Sequence, residues 1–162
     1  ALVGLETDIT WLMPFEKYKG LPAPKNTWKP TSDGIRWDLI EVGNPLRIYA
    51  VADAMRKGAT IQKLHEVSKI DPWFLERMEL QIGFEKELLE SKWPVPAEKL
   101  LTAKKLGWTD RALASLFNIT DEQVRIDREK MNIHGFFQMV DTCAAEFEAK
   151  TPYLYSTYRG SD

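Results

Sequence analysis

The sequence predicts an all-α fold: a mostly helical, orthogonal helical bundle with an extended N-terminal arm and an extended C-terminal exit. Three observations point there. Between residues 44 and 131, side chains that can cap a helix recur just ahead of apolar residues spaced three and four apart. Gly58, Gly107 and Asn118 close three of these stretches, as residues that tolerate a left-handed stop. Outside that span the helical period is lost. Pro14, Pro22, Pro24 and Pro30 interrupt the start, and bulky and small residues alternate near the end.

The elements follow in order. Residues 1–43 read as an extended arm or linker, with Trp11, Trp28 and Trp37 as aromatic anchors. Such an arm either packs on its own domain or lies across a neighbouring domain or subunit. Residues 44–135 read as the helical domain. Asn44 and Pro45 open its first helix, which carries Ile48, Val51, Ala52 and Met55 at helical spacing. Thr60 caps a short second helix through Ile61, Leu64 and Val67. Asp71 and Pro72 open a long third segment with an apolar stripe of Leu75, Met78, Ile82 and Leu89. Glu85 breaks that stripe, and the charges around Glu85, Lys86, Glu87 and Glu90 read as a solvated face. Pro94 and Pro96 separate it from a helix with Leu100, Leu101 and Leu106. Thr109 caps the next, with Leu113, Leu116 and Phe117. Thr120 and Gln123 form a capping box ahead of a last helix reaching about Met131. Residues 136–162 read as the extended exit, β-like at Pro152–Tyr158.

Composition narrows the function classes. The 162 residues carry a net charge of −2, so there is no basic excess to hold a phosphate backbone or an anionic membrane. No apolar run approaches the ~20 residues that span a bilayer. The single cysteine, Cys143, forms no internal disulfide and suits a reducing, cytoplasmic setting. The chain starts without methionine or a signal-like segment, consistent with a piece of a longer polypeptide.

Candidate chemistry is sparse. His65, His134 and Cys143 lack metal-ligand spacing. Catalysis by Cys143 with His134 as base is weaker than a buried, packing role for the thiol. No glycine-rich phosphate loop is present. The helices either side of Asn118 resemble a helix-turn-helix, which gives an alternative function as a small nucleic-acid-binding protein. The second of them sets Arg125, Arg128 and Lys130 against Asp121, Glu122, Asp127 and Glu129, a poor face for a DNA groove.

Several stretches resemble one family. Met139–Tyr158, with its Asp-Thr-Cys-Ala-Ala-Glu-Phe core, is similar to the end of the central helical domain in the large chain of glutamine-hydrolysing carbamoyl-phosphate synthetase. Arg47–Gly58 resembles the family's first helix, Ile70–Leu75 the start of its long helix, and Leu106–Ala114 its turn and following helix. The resemblance runs from about Pro45 to Tyr158, and residues 9–43 match least.

The resemblance implies a non-catalytic connecting and oligomerisation domain. It would lie between two ATP-grasp halves of one chain, alongside an amidotransferase subunit, in a homo-oligomeric enzyme that serves arginine and pyrimidine synthesis. It implies no catalytic, cofactor-binding or metal residue in this segment, since ATP and divalent metal would belong to the halves. It implies no nucleic-acid or membrane partner. The interface candidates are Trp11, Trp28, Trp37, Asp141, Thr142, Cys143, Glu146, Phe147, Tyr153, Tyr155 and Tyr158. Asp141 and Glu146 are expected to accept backbone hydrogen bonds at the domain junction, and the three tyrosines to alternate faces. An apolar surface cut from its neighbours predicts that the isolated chain self-associates.

Overall fold

The computed structural model describes residues 12, 32–140 and 153–160. Among these, the order is α1 (Trp37–Glu41), α2 (Arg47–Arg56), α3 (Ile61–Ser68), α4 (Pro72–Leu89), α5 (Ala97–Lys105), α6 (Asp110–Phe117), α7 (Asp121–Lys130), β1 (Phe136–Val140) and β2 (Tyr153–Thr157). The chain divides into two compact units, Ala1–Glu90 and Ser91–Asp162.

The capping chemistry legible in the sequence sets most boundaries. Thr60, Asp71, Thr109 and Thr120 each accept a hydrogen bond from a first-turn amide, those of Lys63, Trp73, Ala112 and Gln123. The capping box of α7 is half made, because the Gln123 amide reaches forward to Asp127 (2.8 Å) rather than back. Gly58 and Gly107 stop α2 and α5 at φ +88° and +93°, and Asn118 stops α6 at +53°. Lys69 and Asn132 take the same left-handed conformation after α3 and α7 without being glycine. Asn44 accepts from the Leu46 amide (2.9 Å) and so caps a turn. The helix itself begins at Arg47, leaving Pro45 outside it.

In the first unit α2 is the centre. All seven residues from Tyr49 to Met55 are buried, so the helix is enclosed on every side. Ile40, Leu64, Leu75 and Ile82 from the other helices, with Ile35 and Leu12, complete the core. A short helix, α1, lies inside the stretch read as extended. It is held by its buried Ile40 and by Arg47, whose guanidinium donates to the carbonyls of Ile40 (2.7 Å), Glu41 (3.3 Å) and Ser68. One arginine thus satisfies carbonyls at the ends of α1 and α3.

The stripe on α4 differs from the expectation. Leu75 and Ile82 are buried and Met78 is partly so, but Leu89 is 56% exposed and Leu88 is buried in its place. Glu85 does not belong to a solvated face. It sits on the inward side and pairs with Arg56 at the end of α2, Nε to Oε1 at 3.1 Å and Nη2 to Oε2 at 2.6 Å. A two-pronged guanidinium–carboxylate contact meets the demand that a buried charge be paired. The same Nη2 also donates to the Leu12 carbonyl. Leu12 is buried, so at this position the arm packs on its own unit.

In the second unit Val95, Leu100, Ala103, Ala112, Leu113 and Val124 are buried along α5, α6, α7 and the preceding loop. Trp93, in that loop, donates its indole N–H to Asp127 on α7 (2.9 Å) and lies 5.2 Å from the Phe117 ring. Hydrogen bonds from Gln123 and Trp93 hold the Asp127 carboxyl below its ordinary 3.8. A lowered carboxyl pKa gives stability that is complete above 3.8 and is lost as pH falls through the folded-state value. The stability advantage of the wild type over Asp127→Asn is therefore expected to stay constant down to about pH 4 and shrink below it. Urea unfolding at several pH values, read by tryptophan fluorescence, checks this. An advantage that shrinks already between pH 7 and 5 would contradict it.

Candidate interaction surfaces

β1 and β2 form an antiparallel ribbon in the register Phe136–Thr157, Phe137–Ser156, Gln138–Tyr155, Met139–Leu154 and Val140–Tyr153. Directly opposed residues share a face. One face therefore carries Phe137, Met139 and Leu154, which are 76%, 65% and 64% exposed. The other carries Tyr153 and Tyr155, both largely exposed, with the Tyr155 hydroxyl donating to Gln138 Oε1 (2.7 Å). A two-stranded ribbon is marginal on its own in water, and one with apolar side chains on both faces is expected to be covered.

The chain beyond β2 is clamped to the helices of its unit. The Tyr158 ring lies under two cations, with Lys104 Nζ 5.0 Å and Arg128 Cζ 5.9 Å from its centroid. Asp110, at the start of α6, pairs with both, at 2.7 Å to Lys104 and 3.3 Å to Arg128. Arg128 also donates to the Ile133 carbonyl (2.7 Å), and Arg159 Nε to the Lys105 carbonyl (3.0 Å). A cleft of about 270 Å³ opens beside the clamp, lined by residues that include Lys105, Trp108 and Arg159. Burial pushes the Lys104 ammonium below its ordinary 10.5, against the pull of Asp110. Burial likewise pushes the Tyr158 phenol above 10.0.

The nominated tyrosines therefore do not simply alternate. Tyr153 and Tyr155, two residues apart, share a face, and Tyr158 lies past the strand end in the clamp. Trp37 is partly buried against the first unit's core, its indole N–H on Asp33 (3.0 Å). Trp11, Trp28, Asp141, Thr142, Cys143, Glu146 and Phe147 lie outside the described residues. Phe137, Met139 and Leu154 belong to the surface although they were not nominated. The signal was present in the alternation of Phe137, Gln138 and Met139, which is a strand period.

Cations of α7 are engaged at home rather than offered to a groove. Arg125 pairs with Glu122 (2.6 Å) and Glu129 (3.1 Å), Arg128 with Asp110, and Lys130 with Asp127 (3.4 Å). Among the described residues no group of three His, Cys or carboxylate side chains converges as a metal site, and no helix is long and apolar enough to cross a membrane.

Comparison with known proteins gives these surfaces a context. Residues 16–132 match the family model described as the carbamoyl-phosphate synthetase large chain, oligomerisation domain. The match takes in most of the arm, which resembled the family least, and ends before the 139–158 run. The chain is similar to the carbamoyl phosphate synthase large chain of Archaeoglobus fulgidus, at 44% identity over 133 residues, 79% of this chain and 12% of the relative. It is similar to the large chain of Brucella melitensis at 38% over 158 residues, 98% of this chain and 13% of the relative, which includes the exit. It is similar to the arginine-specific large chain of Bacillus subtilis at 42% over 124 residues, 76% of this chain and 12% of the relative. The chain thus spans about an eighth of the length of these relatives.

Proposed function

Because the chain belongs to the oligomerisation-domain family of carbamoyl-phosphate synthetase large chains, we propose that it connects and assembles such a large chain and performs none of its chemistry. The complete enzyme would make carbamoyl phosphate in the cytoplasm from bicarbonate, glutamine-derived ammonia and ATP, for arginine and pyrimidine synthesis. Its ATP and divalent metal would bind in ATP-grasp halves on either side of this domain, with an amidotransferase subunit supplying ammonia. The single observation that carries the reading is the ribbon with exposed apolar side chains on both faces. Tyr153, Tyr155, Phe137, Met139 and Leu154 are its contact residues. Tyr158 is the positioning residue that fixes where the ribbon leaves the helices. Asp141, Thr142, Cys143, Glu146 and Phe147, and Trp11, Trp28 and Trp37 towards the start of the chain, are proposed as further contact residues on the strength of the family resemblance.

Aromatic and aliphatic residues of this size dominate protein interfaces because they bury much area at low entropic cost. Without its neighbours, the chain is expected to self-associate at concentrations on the order of tens of micromolar. Replacing Phe137→Asp together with Leu154→Asp should return it to monomer with its helical circular dichroism unchanged. Sedimentation velocity reads the result. A wild-type chain that stays monomeric over this range would overturn the reading.

A further inference from the structure

A second apolar surface lies on α4, in the first unit, outside every residue nominated above. Trp73 and Phe74 are 56% and 58% exposed and meet edge to face, with ring centroids 5.0 Å apart. Leu80, two turns along, is 55% exposed, and Arg77 lies over the Trp73 ring at 5.5 Å. Positions 73, 77 and 80 follow the four-then-three spacing of a helix seam, so Trp73, Arg77 and Leu80 form one stripe. Leu75 and Ile82, on the opposite side, enter the core.

Asp71 caps α4 and Pro72 starts it, and with Leu75 and Ile82 packed in the core Trp73 is left facing outward. Two adjacent aromatics and a leucine left in water form a patch of the kind that marks a docking surface.

The rim decides what covers it. Asp71, Glu76 and Glu79 flank the stripe against Arg77, a local charge of −2. A two-fold contact between copies would set this patch against itself and bring like charges together. The relatives are about eight times longer than this chain, which leaves ample polypeptide to supply a different surface. We propose that Trp73, Phe74 and Leu80 dock onto the portion of the same large chain that lies outside these 162 residues, on an apolar surface rimmed by lysine or arginine. This rests on the reading that the chain is one domain of a large chain.

Hydroxyl-radical footprinting of the full-length large chain that carries this segment tests it, with the 162-residue chain as reference. Oxidation of Trp73 and Phe74 is expected to fall about fivefold or more as they become buried, equally at high and low protein concentration. Glu76→Lys with Glu79→Lys, both exposed, should restore their oxidation in the full-length chain. Protection that disappears on dilution would assign the face to a second copy and overturn the proposal, as would protection indifferent to the charge reversal. If Phe137 and Leu154 are protected while Trp73 and Phe74 stay reactive, this inference falls and the assembly reading stands. If neither set is protected, both fall.

Discussion

Replacing Glu85 by alanine is expected to lower the unfolding free energy by about 3–5 kcal/mol, a large part of the ~5–15 kcal/mol that keeps a domain folded. The side chains of Arg56 and Glu85 are only 14% and 7% exposed. The variant would leave a guanidinium in a low-dielectric interior without its carboxylate, at the junction of α2, α4 and Leu12. The loss comes from the stranded charge rather than from the strength of the pair. Replacing both partners at once, Arg56→Met with Glu85→Leu, should therefore cost much less than Glu85→Ala alone. Urea unfolding followed by circular dichroism measures all three proteins. A loss below about 1 kcal/mol for Glu85→Ala, the range of an exposed pair, would show that the pair is solvated.

The second large effect concerns Asp110. It is the shared partner of Lys104 and Arg128, whose side chains are 5% and 12% exposed. Asp110→Ala is expected to cost about 3 kcal/mol, the low end of the range for breaking a buried pair, because Asp110 itself is 23% exposed and Arg128 keeps the Ile133 carbonyl. The pH dependence distinguishes this from simple loss of packing. Asp110 raises the Lys104 pKa against burial, so its removal lowers that pKa further. Lys104 then deprotonates in the folded variant while still charged in the unfolded chain, and folding gains as pH climbs. The deficit of Asp110→Ala should be greatest near neutrality and shrink as pH rises towards 10.5, the ordinary lysine value. Denaturant unfolding at pH 7 and pH 9.5, read by circular dichroism, checks the sign. A deficit that grows with pH would refute it.

These two sites mark the limit of what the sequence discloses. Caps and stops are local chemistry, so Thr60, Thr109, Thr120, Gly58, Gly107 and Asn118 could be read directly and were found in those roles. Glu85 was misread because its partner is 29 residues away. A carboxylate in an apolar stripe looks like a break until the arginine that neutralises it is located in space. The short α1 escaped because five residues make too brief a period to register, and Arg47, which holds its end, lies beyond it.

Exposed apolar residues near the end of the chain were legible in kind but not in arrangement. Tyr153 and Tyr155 were nominated from their β-like context and are exposed on the ribbon. Their shared face depends on pleat parity, and the position of Tyr158 on Lys104 and Arg128, neither near it in sequence. The outward Trp73 and Phe74 gave no warning, because composition favours aromatic residues for a core and only the rotation of α4 turns these two away from it.

The left-handed stops have a kinetic consequence. α2 and α3 are joined by four residues, α3 and α4 by three, α5 and α6 by four, and α6 and α7 by three. Where neighbouring helices pack, as α1 with α2, α3 with α4 and α6 with α7, the partner is close by in the chain, with little loop entropy to overcome. Low contact order favours rapid folding, and domains generally fold as units while the ribosome is still adding residues. Such a segment is suited to reach its native state early, on the nascent chain.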